Sequence, residues 1–275
     1  MKSNQETAPE PAKVRPITPV APYQGGKRNL SRRLVARIEK TPHDVYAEPF
    51  VGMGGVFLRR RRAAGVEVIN DYSRDVATFF RILQRHYVAF MEMMRFQLTT
   101  RAEFERLAAT DPATLTDLER AARFLYLQRT AFGGKVAGRN FGISPTRPAR
   151  FDVTKLGPML EDLHERLAVV VIECLPYHAF IERYDRAATL FYIDPPYWGC
   201  EKDYGKDIFC RGDFERLAEQ LRGLKGRFIL SINDVKEVRE IFKGFRIEAV
   251  KTTYSVGGGN KARPAGELII TPRRK

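Results

Sequence analysis

At 275 residues, 44% of them hydrophobic, the chain is too long for a minimal module and too short for three ordinary domains. Its formal net charge of +14 points to a polyanionic partner, nucleic acid first among them. A membrane protein, a secreted disulfide scaffold and a structural zinc site are excluded as expectations. No apolar run nears the roughly 18 residues of a span, no secretory stretch opens the chain, and the three cysteines and four histidines show neither C-x-x-C nor ligand spacing.

Residues 1–20 hold Pro9, Pro11, Pro16 and Pro19 among polar neighbours, a composition that reads as a disordered arm. Tyr23-Gln-Gly-Gly-Lys27 follows, a Gly-Gly turn whose lysine either anchors a carboxylate or merely ends the turn. Residues 45–50 read as a strand, and Glu48-Pro-Phe50-Val-Gly52-Met-Gly54-Gly55 closes it. Glycines there let a ligand approach the backbone, but the third glycine of the phosphate fingerprint is missing, so a nucleoside without pyrophosphate fits better. A helix is expected over 54–64, with Arg59, Arg60, Arg61 and Arg62 near its end as a solvated tip or a phosphate contact. The strand over 66–70 delivers Asp71 to the position from which an acid holds ribose hydroxyls.

From 73 to 165 the strand–helix alternation breaks. Thr100 with Glu103, and Thr116 with Glu119, have capping-box spacing, so helices start at both. Residues 123–155 carry seven Lys/Arg against one acid, Asp152, with glycines interspersed, which reads as a basic insert forming a second domain. Apolar strands return at 168–173 and 190–193. The second runs into Asp194-Pro195-Pro196-Tyr197, where two prolines fix the backbone and remove two donors. That rigid corner offers a carboxylate, a carbonyl and an aromatic face, a set that suits a planar base bearing an amino group. Trp198, Cys200 and Tyr204 follow, either lining that pocket or packing in the core. A helix over 214–224, with Asp213 as its N-cap and Gly226 beyond its end, leads to strands at 227–232, 245–254 and 267–271. The last two have no helix between them and read as an antiparallel edge hairpin, its tip at the glycine run 255–260 followed by Lys261 and Arg263. The fold class is therefore α/β, a doubly wound, mostly parallel seven-stranded sheet with an inserted, mainly helical domain.

In motif type and order, from about residue 21 to the end, the chain resembles the Dam-type DNA adenine methyltransferases, a family that includes phage and prophage members. The resemblance implies S-adenosylmethionine as cofactor, with Tyr23, Lys27, Glu48, Phe50, Gly52, Gly54, Asp71, Glu173 and Asp194 at its site. It implies double-stranded DNA as partner, and methyl transfer to a flipped adenine at Asp194, Pro195, Pro196 and Tyr197. Arg129, Lys135, Arg139, Asn140 and Arg147 are its candidate DNA contacts, and no metal is expected. The implied division is 1–20 as arm, 21–72 with 166–275 as a Rossmann-like catalytic domain, and 73–165 as a target-recognition domain. A monomer in the cytoplasm of a bacterial or phage-infected cell is the expected setting. The hairpin after Arg129 is shorter and richer in glycine than in GATC-specific members, so GATC does not follow. Methylation of cytosine's exocyclic amine, RNA or protein amine methylation, and a non-catalytic DNA-binding protein with the same core stay open.

Overall fold

The computed structural model of the chain describes residues 12–143, 148–204, 208–254 and 263–273. Its centre is a seven-stranded sheet. In chain order its strands are β2 (Val45–Glu48), β4 (Val66–Asn70), β5 (Val171–Glu173), β6 (Thr189–Ile193), β7 (Arg227–Asn233), β8 (Arg246–Tyr254) and β9 (Arg263–Thr271). In space they lie in the order β5-β4-β2-β6-β7-β9-β8, parallel up to β7 and antiparallel at β9 and β8. The sequence pattern anticipates the edge pair, and the structure adds that β9 inserts between β7 and β8.

Alternation along each strand divides the apolar side chains between two faces. Tyr46, Ile69, Leu190, Tyr192 and Ile229 enter one cluster, while Ala47, Val68, Phe191, Ile193 and Leu230 enter the other. Every residue of β6 is buried, as a central parallel strand covered on both sides requires. Helices α7 (Tyr177–Tyr184), α8 (Asp213–Arg222) and α9 (Lys236–Ile241) contribute to the second cluster. Helix α1 (Ser31–Lys40) and the helices of the insert join the first.

The insert consists of α2 (Arg74–Arg85), α3 (Tyr87–Met94), α4 (Arg101–Ala109), α5 (Asp117–Thr130) and α6 (Val153–Leu167). Thr116 and Glu119 form the reciprocal cap expected for α5. Thr100 accepts from the Glu103 amide at 3.1 Å, but Arg106 takes the Glu103 carboxylate, so the second half of that box is missing. Phe79, Phe80, Phe90 and Phe124 share one apolar cluster with Ile69 and Tyr192 of the sheet. The insert therefore grows out of the sheet's own core.

Three expectations change. Residues 54–64 do not form an α-helix: a single 3-10 turn (Phe57–Arg59) is followed by strand β3 (Arg62–Ala63). The four arginines consequently diverge, with Arg60 buried and Arg61 and Arg62 exposed. Residues 12–20 are not loose. Strand β1 (Ala12–Lys13) pairs with β3, the amides of Val14 and Ile17 donate to Arg61 O and Leu58 O, and Val20 is fully buried. An extended, proline-stiffened segment can do this because its free amides meet carbonyls and one valine anchors it. Helix α8 takes Gly212 rather than Asp213 as N-cap, since the Asp213 carboxylate turns back to the Cys210 amide at 2.7 Å.

Candidate active site

The sheet reverses direction of growth between β2 and β6, and in open α/β sheets the crevice beyond such strand ends binds ligands. Ala47 pairs with Phe191, and continuing that register brings residues 50 and 194 level. A cavity of about 760 Å³ opens there. Its lining includes Tyr23, Lys27, Glu48, Phe50, Gly52 and Asp71, together with Asp194 and Pro196. Residues as far apart in sequence as Tyr23 and Pro196 are thus gathered by one strand reversal.

The turn after β2 is built from interlocking contacts. Gly52 has φ +51°, and a Cβ there would lie 2.9 Å from the Tyr23 ring, so the Tyr23–Lys27 segment seats directly on the glycine loop. The Gly52 amide donates to Asp71 Oδ2, and the Ser73 amide to Oδ1, both at 2.9 Å. Burial raises the Asp71 carboxyl to about 6 against the pull of those two amides. Its remaining lone pairs can accept two hydroxyls. Asn70, fully buried, donates to Pro49 O and Leu175 O and accepts from the Leu175 amide, which ties three strand ends together. Phe50 offers an apolar wall, backed by Tyr177 with ring centroids at 5.6 Å. This acceptor and apolar set fits a nucleoside: a carboxylate for ribose, an aromatic wall for a base and open backbone beside both.

The second half of the site is a buried charge cluster. Lys27 Nζ lies 2.6 Å from Asp194 Oδ1, donates to the Tyr197 hydroxyl at 2.8 Å, and sits 4.0 Å from Glu267 Oε1. The Tyr197 hydroxyl donates to Glu267, and the ammonium stands 4.4 Å over the Tyr197 ring. Ser231 Oγ reaches Asp194 Oδ1 at 3.5 Å and is itself bonded to Tyr192. Burial pushes the Asp194 carboxyl up, and the Lys27 ammonium and Ser231 hydroxyl hold against it. Glu267, on the antiparallel strand β9, is pushed up to about 7 by burial, with Lys27 opposing and Asp194 adding.

Several sequence-derived candidates behave differently. Lys27 is engaged by Asp194 and Tyr197 rather than turned to a ligand's carboxylate. Pro195 and Tyr197 are not among the residues lining the cavity, and the Tyr197 phenol is committed to Lys27 and Glu267. Gly54, with φ +73°, shapes the loop without lining it. Glu173 does not reach the cavity; it accepts from the Tyr184 hydroxyl at 2.7 Å and pairs with Arg183. Arg129 is a structural tie, its guanidinium donating to Arg150 O twice and to Val20 O. It joins the insert to residues 18–22 beside the cavity, as does the fully buried Gln128, which donates to Pro22 O and Gly134 O.

Lys135 and Asn140 are exposed on the loop closed by Phe132 N to Asn140 O, while Arg139 folds back onto Lys135 O and Gln128. Arg147 and the tip 255–261 lie outside the described residues, as do the side chains of Tyr204 and Arg263. Glu267, Ser231, Tyr192 and Asn233, which brackets Trp198 through two hydrogen bonds, carry no motif that singles them out in sequence. Only strand pairing brings them to the corner.

Glu48 makes one feature testable by pH. It is buried, accepts from the Tyr46 hydroxyl at 2.7 Å, and burial raises its carboxyl to about 8. A folded value above the unfolded one means the native state binds more protons, so this contribution is full below about pH 4.5 and is lost as pH rises through about 8. We expect stability of the ligand-free protein to fall between pH 5 and 8, by an amount on the order of a few kcal/mol. Glu48→Gln flattens that slope in denaturant titrations at successive pH values; an unchanged slope rules out Glu48 as its source.

A family model described as D12 class N6 adenine-specific DNA methyltransferase matches residues 23–256. A type II methyltransferase of Paramecium bursaria Chlorella virus NC1A is 22% identical over 83% of this chain and 88% of its own. A DNA adenine methylase of Haemophilus influenzae is 23% identical over 92% of both chains. A DNA N-6-adenine-methyltransferase of Escherichia phage P1 is 27% identical over 94% of this chain and 36% of its own length. Among the described residues no helix is long and apolar enough to cross a membrane.

Proposed function

Because the chain belongs to the D12 class of N6 adenine-specific DNA methyltransferases, we propose that Asp194 receives the exocyclic amine of adenine beside a donor seated between Asp71 and the glycine loop. The chain is thus a DNA adenine methyltransferase, and the family sets aside the cytosine reading. The donor proposed is S-adenosylmethionine, which supplies an electrophilic methyl on a positively charged sulfur. The observation that carries the reading is that Asp194, Gly52 and Asp71 line one cavity at the strand reversal.

In this reading Asp71 accepts the ribose hydroxyls, and Phe50 forms a wall against the donor's base. Adenine's amine is a poor nucleophile, since its lone pair is drawn into the ring. The Asp194 carboxylate, which lines the cavity, and the main-chain carbonyl of Pro195, next in the chain though not itself part of that lining, accept its two N–H bonds, which localises the lone pair and stabilises the positive charge that grows on nitrogen. Both described contacts of Asp194 fall on Oδ1, so Oδ2 remains for that role. Lys27 keeps the carboxylate ionised and oriented. Holding amine and methyl in line supplies much of the remaining acceleration. The adenine must first leave the stack, at a cost of a few kcal/mol. Phosphate contacts of the basic insert, with Lys135 and Asn140 exposed at its loop, offset that cost and make binding salt-dependent. Residues 73–165 are proposed as the target-recognition part.

The direct test is digestion of treated DNA followed by mass spectrometry. N6-methyladenine is expected, and methylcytosine alone would overturn the reading. Single changes separate the roles. Asp71→Ala raises the donor's Kd by roughly tenfold or more with turnover at saturation largely kept, since it removes a buried hydrogen-bond acceptor. Lys27→Ala acts chiefly on turnover; if it instead changes only donor affinity, its assignment to Asp194 is wrong.

A further inference from the structure

We infer that Arg59, with Arg28 beside it, is the anion subsite that takes the carboxylate of the donor's amino-acid tail. This rests on the donor proposed above and deepens it. Among the described residues three arginines line the cavity: Arg28, Arg59 and Arg129. The Arg129 guanidinium is occupied by backbone carbonyls, and Lys27 is held by Asp194 and Tyr197. Arg59 is half-buried, and its one hydrogen bond among the described residues runs from Nη1 to Gly55 O of the glycine loop. Neither Arg28 nor Arg59 pairs with an acid among the described residues; burial, and after it the like charge of Arg28, lowers the Arg59 pKa. Arg28 is exposed and adds positive potential at the mouth, whereas the half-buried Arg59, without an acidic partner among the described residues, gains most from a ligand that brings the anion.

The position fits a tail rather than a nucleoside. Gly55 stands between the two segments: a Cβ there would lie 3.6 Å from Lys27 N and 4.0 Å from Arg59 Nη1. The tail of a donor whose ribose is at Asp71 and whose methyl faces Asp194 has to leave the centre along another wall. Arg28, Asn29, Gly55 and Arg59 form such a wall of the same cavity. A guanidinium fork matches a carboxylate in two parallel hydrogen bonds. A DNA phosphate has the same chemistry, but it would meet the outside of the basic insert rather than a residue anchored to the glycine loop.

The test titrates two neutral thioethers into the DNA-free protein by calorimetry. S-adenosylhomocysteine carries the amino-acid tail, and methylthioadenosine is the same nucleoside without it. Arg59→Ala should weaken the first by roughly 10- to 100-fold, as loss of a charged hydrogen-bond pair does, and leave the second and DNA affinity unchanged. Arg59→Lys should recover part of the loss. Equal weakening of both thioethers marks a merely structural role and overturns the inference, as does no change in either. A loss confined to DNA affinity assigns the arginine to phosphate and also overturns it. If the unaltered protein binds neither thioether, the donor assignment itself fails, which is a different result from an unaffected Arg59 variant.

Discussion

Replacing Asp194 by alanine lowers methyl transfer by roughly a thousandfold, the scale seen when a group aimed at developing charge is removed, while affinity for double-stranded DNA stays close to that of the unaltered protein. The size follows from what the carboxylate does at once. In the proposed mechanism it accepts from the amine and sets the direction of attack, and it lies closer to Lys27 than Glu267 does, at 2.6 Å against 4.0 Å. Because the Lys27 side chain is only 1% exposed, alanine also strands an ammonium beside Tyr197 and Glu267, so a loss of stability accompanies the loss of rate. Asp194→Asn separates the two effects. It keeps an acceptor and the shape but removes the charge, so it should retain more activity than alanine. Rates measured at saturating donor and DNA decide the matter; an alanine variant with near-normal turnover removes Asp194 from the chemistry.

The largest stability effect lies away from the cavity. Glu67 of β4 is buried between Arg60 at 2.5 Å and Arg166 at 2.6 Å, with both arginines almost fully buried. Each guanidinium also lies on an aromatic face, Arg60 at 3.7 Å over Tyr46 and Arg166 at 4.1 Å over Phe57. Among the described residues Glu67 is the carboxylate that pairs with both buried cations. Glu67→Gln leaves them facing each other unneutralised, which should cost about 3–5 kcal/mol and lower the melting temperature by roughly 10 °C. Replacing all three residues by apolar side chains of similar volume should be far milder, because no charge is then left without a partner. Thermal unfolding of the single and triple variants tests this. A Glu67→Gln protein as stable as the parent shows that the cluster contributes nothing.

These two cases mark where the chain's pattern was legible. The place of Asp194 at the cavity is legible in four consecutive residues, because two prolines after an apolar strand leave the backbone one rigid course. The places of Gly52 and Asp71 are legible the same way, one at a strand end and one at the next. Those of Glu67 and the run Arg59 to Arg62 are not. The arginines read as a helix tip, whereas β3 pairs with β1 and sends Arg59 to the cavity and Arg60 into the core. Propensity cannot foresee that, since the partner strand lies some fifty residues earlier in a segment whose composition resembles a loose arm.

What the sequence determined by itself was the alternation of buried strands and helices, the edge hairpin, the two glycine- and proline-built turns and the acid after β4. All of these depend on neighbours within a few residues. Only the tertiary structure decided that Lys27 serves Asp194, that Tyr197 is bound to Glu267, and that Arg129 braces the loop instead of reaching outward. The reason is physical: a charged side chain goes to whichever opposite charge or carbonyl the packed core leaves within reach, and that choice is made by strand order, not by adjacent residues.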